Sequence, residues 1–175
     1  QAMGNEVYQP MVIVGQAFER GRQYGELAKE AIRQNIRAYL DLIEFHTGLA
    51  REVILEAANQ FGPAIEAHAP DLFLEMRGIA EGATCDLSEI LLINARSELM
   101  SMTDECTSVA ATSGGTGREM VLLAQNWDWY TSVEPEPILL QIRQPDRPEI
   151  LTLAEAGQVG KIGFNSAGLG VSLNF

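Results

Sequence analysis

The periodicity of apolar residues changes once along this chain, close to residue 105, from a helical repeat to a strand repeat. In residues 17–45, Phe18, Gly21, Gly25, Ala28, Ile32, Ile36, Leu40 and Ile43 recur every three or four positions. That spacing is one stripe of an amphipathic helix, here expected as a single long one. Gly21 and Gly25 each cost helix propensity, about 1 kcal/mol relative to Ala. Two glycines four apart on the apolar stripe suggest that another backbone lies against them. Helical spacing continues over residues 50–67, where Gly62-Pro63 predicts a break, and over 71–80, with Leu72, Met76 and Ile79 as the stripe. Asp86-Leu87-Ser88-Glu89 has the form of a capping box that opens an apolar helix reaching about Leu99. Ahead of all this, Met11-Val12-Ile13-Val14 reads as a short strand ended by Gly15.

After Cys106 the texture is that of short strands and tight turns. Residues 107–111 and 119–125 flank the turn Ser113-Gly114-Gly115-Thr116-Gly117, which predicts a hairpin. Residues 137–143 and 150–154 flank Pro145-Asp146-Arg147-Pro148, and residues 161–164 and 169–173 flank Asn165-Ser166-Ala167-Gly168. Consecutive strands joined in this way form a largely antiparallel sheet, so the fold class is α+β. The sheet as written would keep an open edge and an uncovered face. The expectation is one structural domain belonging to a longer protein, with a helical part at 1–105 and the start of a sheet part at 106–175.

Charge narrows the partners. The 175 residues hold 12 Lys plus Arg against 24 Asp plus Glu, a net charge of −12. Such an excess repels phosphate backbones and anionic lipid, so neither nucleic acid nor membrane is expected as a partner. No apolar run approaches the roughly 20 residues of a membrane helix. Cys85 and Cys106 make no disulfide framework, and a reducing, cytoplasmic setting is expected. Two Cys and two His at scattered positions give no zinc pattern, and no metal is expected.

Cys106 stands at the seam between the two textures. From position alone it reads first as a small buried hydrophobe and second as a nucleophile. Gln125-Asn126-Trp127-Asp128-Trp129 closes the strand expected to pair with that of Cys106, so its polar groups would lie near the thiol. The same five residues also suit a turn whose Asp and Asn bond their own backbone. The run Glu155-Ala156-Gly157-Gln158-Val159-Gly160-Lys161-Ile162-Gly163-Phe164-Asn165-Ser166-Ala167-Gly168 alternates glycine with β-branched and aromatic positions, as where strands cross near a site. It lacks the spacing of a phosphate-binding loop. A papain-like arrangement is disfavoured, because His46 and His68 both fall in helical stretches before the cysteine.

Taken together, Cys106-Thr107-Ser108, Gln125-Asn126-Trp127-Asp128 and the glycine-rich run resemble the acyl-coenzyme A:6-aminopenicillanic acid acyltransferase family, the C45 class of cysteine autopeptidases. Phe18-Glu19-Arg20-Gly21, Tyr24-Gly25, the segment from Glu75 to Ala83, Leu87-Ser88-Glu89-Ile90 and Asn94-Ala95-Arg96-Ser97-Glu98 match in order. The resemblance implies an amino-terminal-nucleophile hydrolase fold, an αββα sandwich of which this chain holds the helical pro-segment and the first sheet strands. It implies self-cleavage between Glu105 and Cys106, with Cys106 as nucleophile, Asp128 as its catalytic partner, and Thr107 and Asn126 as supporting groups. The expected partners are a small-molecule acyl donor, an amine or water acceptor, and the carboxy-terminal half of the same protein. No cofactor is expected, with acyl-coenzyme A as a candidate substrate. Two other readings stand beside it: an amide hydrolase of the penicillin V and bile-salt type, and an inert binding module that keeps the fold.

Overall fold

A computed structural model describes residues 9–100, 106–130 and 137–174. Strand β1 is Met11–Val14, followed by helices α1 (Ala17–Leu27) and α2 (Lys29–Thr47). The single helix expected over 17–45 is therefore two. Ala28 leaves helical geometry at φ −106° and ψ 16°, yet it still donates to Tyr24 O and accepts from Ile32 N–H. The apolar stripe continues through buried Ala28, so periodicity carries no mark of the joint.

Helices α3 (Arg51–Asn59), α4 (Gly62–His68), α5 (Pro70–Ala83), α6 (Leu87–Asn94) and α7 (Arg96–Met100) complete the helical part. The break expected at Gly62-Pro63 lies just before it, because Pro63 occupies the first turn of α4, where its missing N–H costs nothing. The capping box forms as expected: the Glu89 carboxylate accepts from the Asp86 N–H at 2.8 Å. On α5 the buried stripe is Phe73, Met76, Ile79, Ala80 and Ala83, whereas Leu72 faces outward.

Helices α1 and α5 touch backbone to backbone. A methyl group on Gly21 would lie 2.0 Å from Glu75 O, and one on Gly25 would lie 2.4 Å from Ile79 O. Reciprocally, a methyl on Gly78 would meet Phe18 O at 2.1 Å and one on Gly82 would meet Arg22 O at 2.2 Å. Four glycines, two per helix and four residues apart, remove the side chains that would hold the two axes apart. Beside this crossing the buried Arg20 guanidinium donates to Glu75 Oε2 at 2.6 Å and to Gly15 O at 2.8 Å. Burial pushes the Glu75 carboxyl above its usual range and Arg20 pulls it back.

The strands are β2 (Cys106–Ala111), β3 (Leu122–Trp127), β4 (Pro137–Arg143), β5 (Ile150–Glu155), β6 (Ile162–Asn165) and β7 (Gly170–Val171). The expected glycine turn between β2 and β3 contains a short helix, α8 (Ser113–Thr116). One sheet has the order β1-β4-β5-β6-β7, antiparallel except for β1, which lies parallel to β4 with Ile13 opposite Ile142. The β2–β3 hairpin is a sheet of its own. On β4, Ile138, Leu140 and Ile142 are buried in the same core as Ile13, Tyr24, Ile32 and Ile93 from the strand and helices ahead. Leu151, Leu153 and Phe164 line the other side, where a cavity of about 570 Å³ separates the sheet from Leu122 and Leu123 of the hairpin.

Gly21→Ala and Gly78→Ala are each expected to destabilise the protein by about 1–3 kcal/mol or more, since a methyl forces backbone to move. Helix propensity alone favours alanine by about 1 kcal/mol, so the sign separates the two effects. Gly114→Ala, in the short helix α8 and with nothing within 4 Å, should show only the propensity gain, at most about 1 kcal/mol. Urea midpoints of the three variants decide.

Candidate active site

Cys106 is the first residue of β2 and sits directly opposite Trp127 at the end of β3. Directly opposed residues share a face, and alternate residues join them. Cys106, Ser108, Gln125 and Trp127 therefore form one face of the hairpin and are all partly buried. Gln125 ties this face to the end of the chain: its Oε1 accepts from Leu173 N–H at 2.9 Å and its Nε2 donates to Leu173 O. Thr107 and Asn126 form the next cross-strand pair, on the opposite and exposed face. Asp128 follows Trp127, is exposed, and makes no hydrogen bond or ion pair with the other described residues. The expected cleavage junction involves Glu105, which lies outside the described residues.

Beside Trp127 lies a buried charge cluster. Glu155, at the end of β5, has no exposed surface. Its Oε1 pairs with the Lys161 ammonium at 3.1 Å and with the Arg96 guanidinium, and its Oε2 accepts from the Tyr39 hydroxyl. Arg96 Nε donates in turn to Tyr39 Oη at 3.0 Å. The cations are capped by rings: Lys161 Nζ is 3.3 Å from the Trp127 centroid, and the Arg96 guanidinium is 5.0 Å from that of Trp129. Both contacts lie within cation–π range.

Burial lowers the Lys161 ammonium to about 8. Glu155 pulls it back up, Arg96 pushes it further down, and a thiolate at Cys106 raises it. Burial likewise pushes the Tyr39 phenol above its usual range, so it stays neutral and donates.

The glycine-rich run is held by the helices. Tyr24 Oη accepts from Gly157 N–H at 2.9 Å, Asn94 Nδ2 donates to Gly157 O at 2.9 Å, and Asn35 Nδ2 donates to Ala156 O at 2.8 Å. Gly157 has a φ of +95°, which disfavours a side chain, and Ile93 fills the space where one would stand. This lattice sets the positions of Glu155 and Lys161 on either side of the turn.

Sequence reading singled out Cys106 and Asp128 and missed the four-residue cluster of Tyr39, Arg96, Glu155 and Lys161. The signal was the pair of charges six residues apart in an apolar, glycine-rich stretch. His46 packs edge-on against Phe45 and Tyr130, and His68 Nδ1 bonds Ala64 O at 2.9 Å. Among the described residues no three His, Cys, Asp or Glu side chains gather where a metal ion could be held, and no helix is long and apolar enough to cross a membrane.

The chain is 34% identical over 165 residues to the 40 kDa form of acyl-coenzyme A:6-aminopenicillanic-acid-acyltransferase from Emericella nidulans. The match covers 91% of this chain and 45% of the relative. The similarity supports the resemblance to the family of that acyltransferase. It spans about half the length of the curated relative it matches. No family model matches it.

The cluster makes a pH prediction. The unfolded chain holds the lysine proton to about 10.4, whereas folded Lys161 releases it near 8. Between those values the unfolded state binds more protons, so this group adds stability as pH rises from about 8 to about 10.4. The stability of the parent relative to Lys161→Met should climb across that window. Denaturant titrations in pH steps measure it, and a flat difference contradicts the placement of Lys161.

Proposed function

We propose that the full-length protein is a self-processing acyltransferase or amidohydrolase of the amino-terminal-nucleophile type, with Cys106 as its nucleophile. The observation that carries the reading is the position of Cys106. It opens the first hairpin strand, partly buried, with its neighbour Trp127 in contact with the buried Lys161 ammonium. The similarity to the acyltransferase supports acyl-transfer chemistry. In this reading residues 1–105 are the helical pro-segment, residues 106–175 begin the sheet layers of an αββα sandwich, and the rest of the protein completes them.

The chemistry needs the chain to be cut before Cys106. As an amide, the nitrogen of Cys106 accepts no proton; as a free α-amine, with a pKa of about 7.7–8.0, it serves as general base for a thiol near 8.5. The thiolate Sγ attacks an acyl carbonyl and the amine takes the thiol proton. The tetrahedral adduct collapses, expels the leaving group with that proton, and leaves an acyl thioester on Sγ. An acceptor amine then attacks the thioester and restores the thiol with an amide product; water in its place gives a carboxylic acid. The relative's name favours transfer, with an acyl-coenzyme A thioester as donor. Asp128, exposed beside Trp127, orients the new α-amine or the incoming acceptor.

Cys106→Ala in the full-length protein should abolish both cleavage before residue 106 and acyl turnover. Intact mass and amino-terminal mapping, alongside an assay with amide and thioester donors, test it; turnover retained by this variant removes Cys106 from the mechanism. Asp128→Asn should fold normally and lose about 100-fold or more in turnover, the usual scale for a positioned acid–base group. Comparing its kcat with its denaturation midpoint separates catalysis from folding.

A further inference from the structure

Among the described residues, the buried cluster beside Trp127 is out of electrical balance. One carboxylate, Glu155, faces two cations, Arg96 and Lys161. The Tyr39 hydroxyl contributes a neutral donor. Both cationic side chains are only 5% exposed, so water does little to screen the surplus charge. The cations are not equivalent. Arg96 is engaged by Glu155, by Tyr39 Oη at 3.0 Å and by the Ile93 carbonyl at 3.3 Å. Among the described residues, Lys161 Nζ has one hydrogen-bond acceptor, Glu155 Oε1 at 3.1 Å, and otherwise rests on the Trp127 ring. Trp127 is the residue across the hairpin from Cys106, on the same face. Among the described residues, the ionisable groups acting on Lys161 are Glu155 from β5, Arg96 from α7 and Cys106 from β2.

We infer that Lys161 is a positioning residue for the nucleophile: its ammonium, held by Glu155 and Trp127, is the counter-charge for the negative sulfur of Cys106. The inference rests on the reading of Cys106 as nucleophile and adds a role for the glycine-rich run. The run carries the cation to the thiol, and the helices that grip Ala156 and Gly157 hold it there. No bond to Lys161 forms or breaks, and the proton of the thiol still leaves on the α-amine.

Two alkylating probes read the field at the sulfur. Iodoacetate is an anion and iodoacetamide is neutral, and both react with the thiolate, so the ratio of their rates at Cys106 cancels the thiolate fraction. In the full-length protein at pH 7, Lys161→Met should lower that ratio about five-fold or more, five-fold being the scale of one unit charge about 4 Å away under full water screening. Lys161→Arg should restore much of it, which a packing defect would not allow. The gap between parent and Lys161→Met should close as pH rises through about 8, where the ammonium loses its charge. Cys85, read by peptide mapping in the same samples, serves as internal reference. An unchanged ratio at a reactive Cys106 overturns the role of Lys161 alone. A Cys106 that resists both probes in the parent overturns the nucleophile reading on which it rests.

Discussion

A carboxylate with no exposed surface is the constraint on which the site depends. Removing one ion from water costs several kcal/mol even after relaxation, and an unpaired buried charge is worse. Glu155 is tolerable only where Arg96, Lys161 and the Tyr39 hydroxyl converge on its two oxygens. Those groups come from α7, the loop before β6 and α2. Satisfying one side chain therefore fixes the sheet against the helical layer and sets the lysine and tryptophan that neighbour Cys106. Charge satisfaction and site geometry are the same requirement here.

The helical layer has its own constraint, independent of charge. The α1–α5 crossing is close because Gly21, Gly25, Gly78 and Gly82 remove the atoms that would separate the axes. Close approach gains dispersion contacts along both backbones and offsets the propensity lost at four glycines. It also places Arg20 against Glu75. Tyr24, on the same α1, reaches the other way, to Gly157 beside Glu155. Helix crossing and charge cluster thus meet through a single phenol, which links the packing of the amino-terminal half to the site on the sheet.

Much of this was legible along the chain. Local patterns carried the helices, the hairpins and the capping box at Asp86 and Glu89, because each depends on neighbours within a few residues; the glycine pair at 21 and 25 showed that a backbone lies close there but not that it is α5. The joint at Ala28 was hidden, since it keeps the phase of the apolar stripe. The outward turn of Leu72 and burial of Phe73 were also hidden: both are apolar, and the facing helix chooses between them. In the site, Cys106 and Asp128 stood out by chemistry and by likeness to a family. Arg96, Glu155 and Lys161 did not, because charged residues in sequence read as solvated surface.

The order of residues by itself determined an α+β chain with a seam at Cys106, helices before it and hairpin strands after it, and its resemblance to the acyltransferase family. Those properties follow from periodicity, turn chemistry and residue identity, all carried by the one-dimensional string. The tertiary structure decided that β1 joins β4 in parallel, that the hairpin of Cys106 forms a separate sheet, and that Tyr39, Arg96, Glu155 and Lys161 meet. Tyr39 and Glu155 are 116 positions apart. Their contact arises only when burial makes every charged group find a partner, and that condition acts on the folded whole.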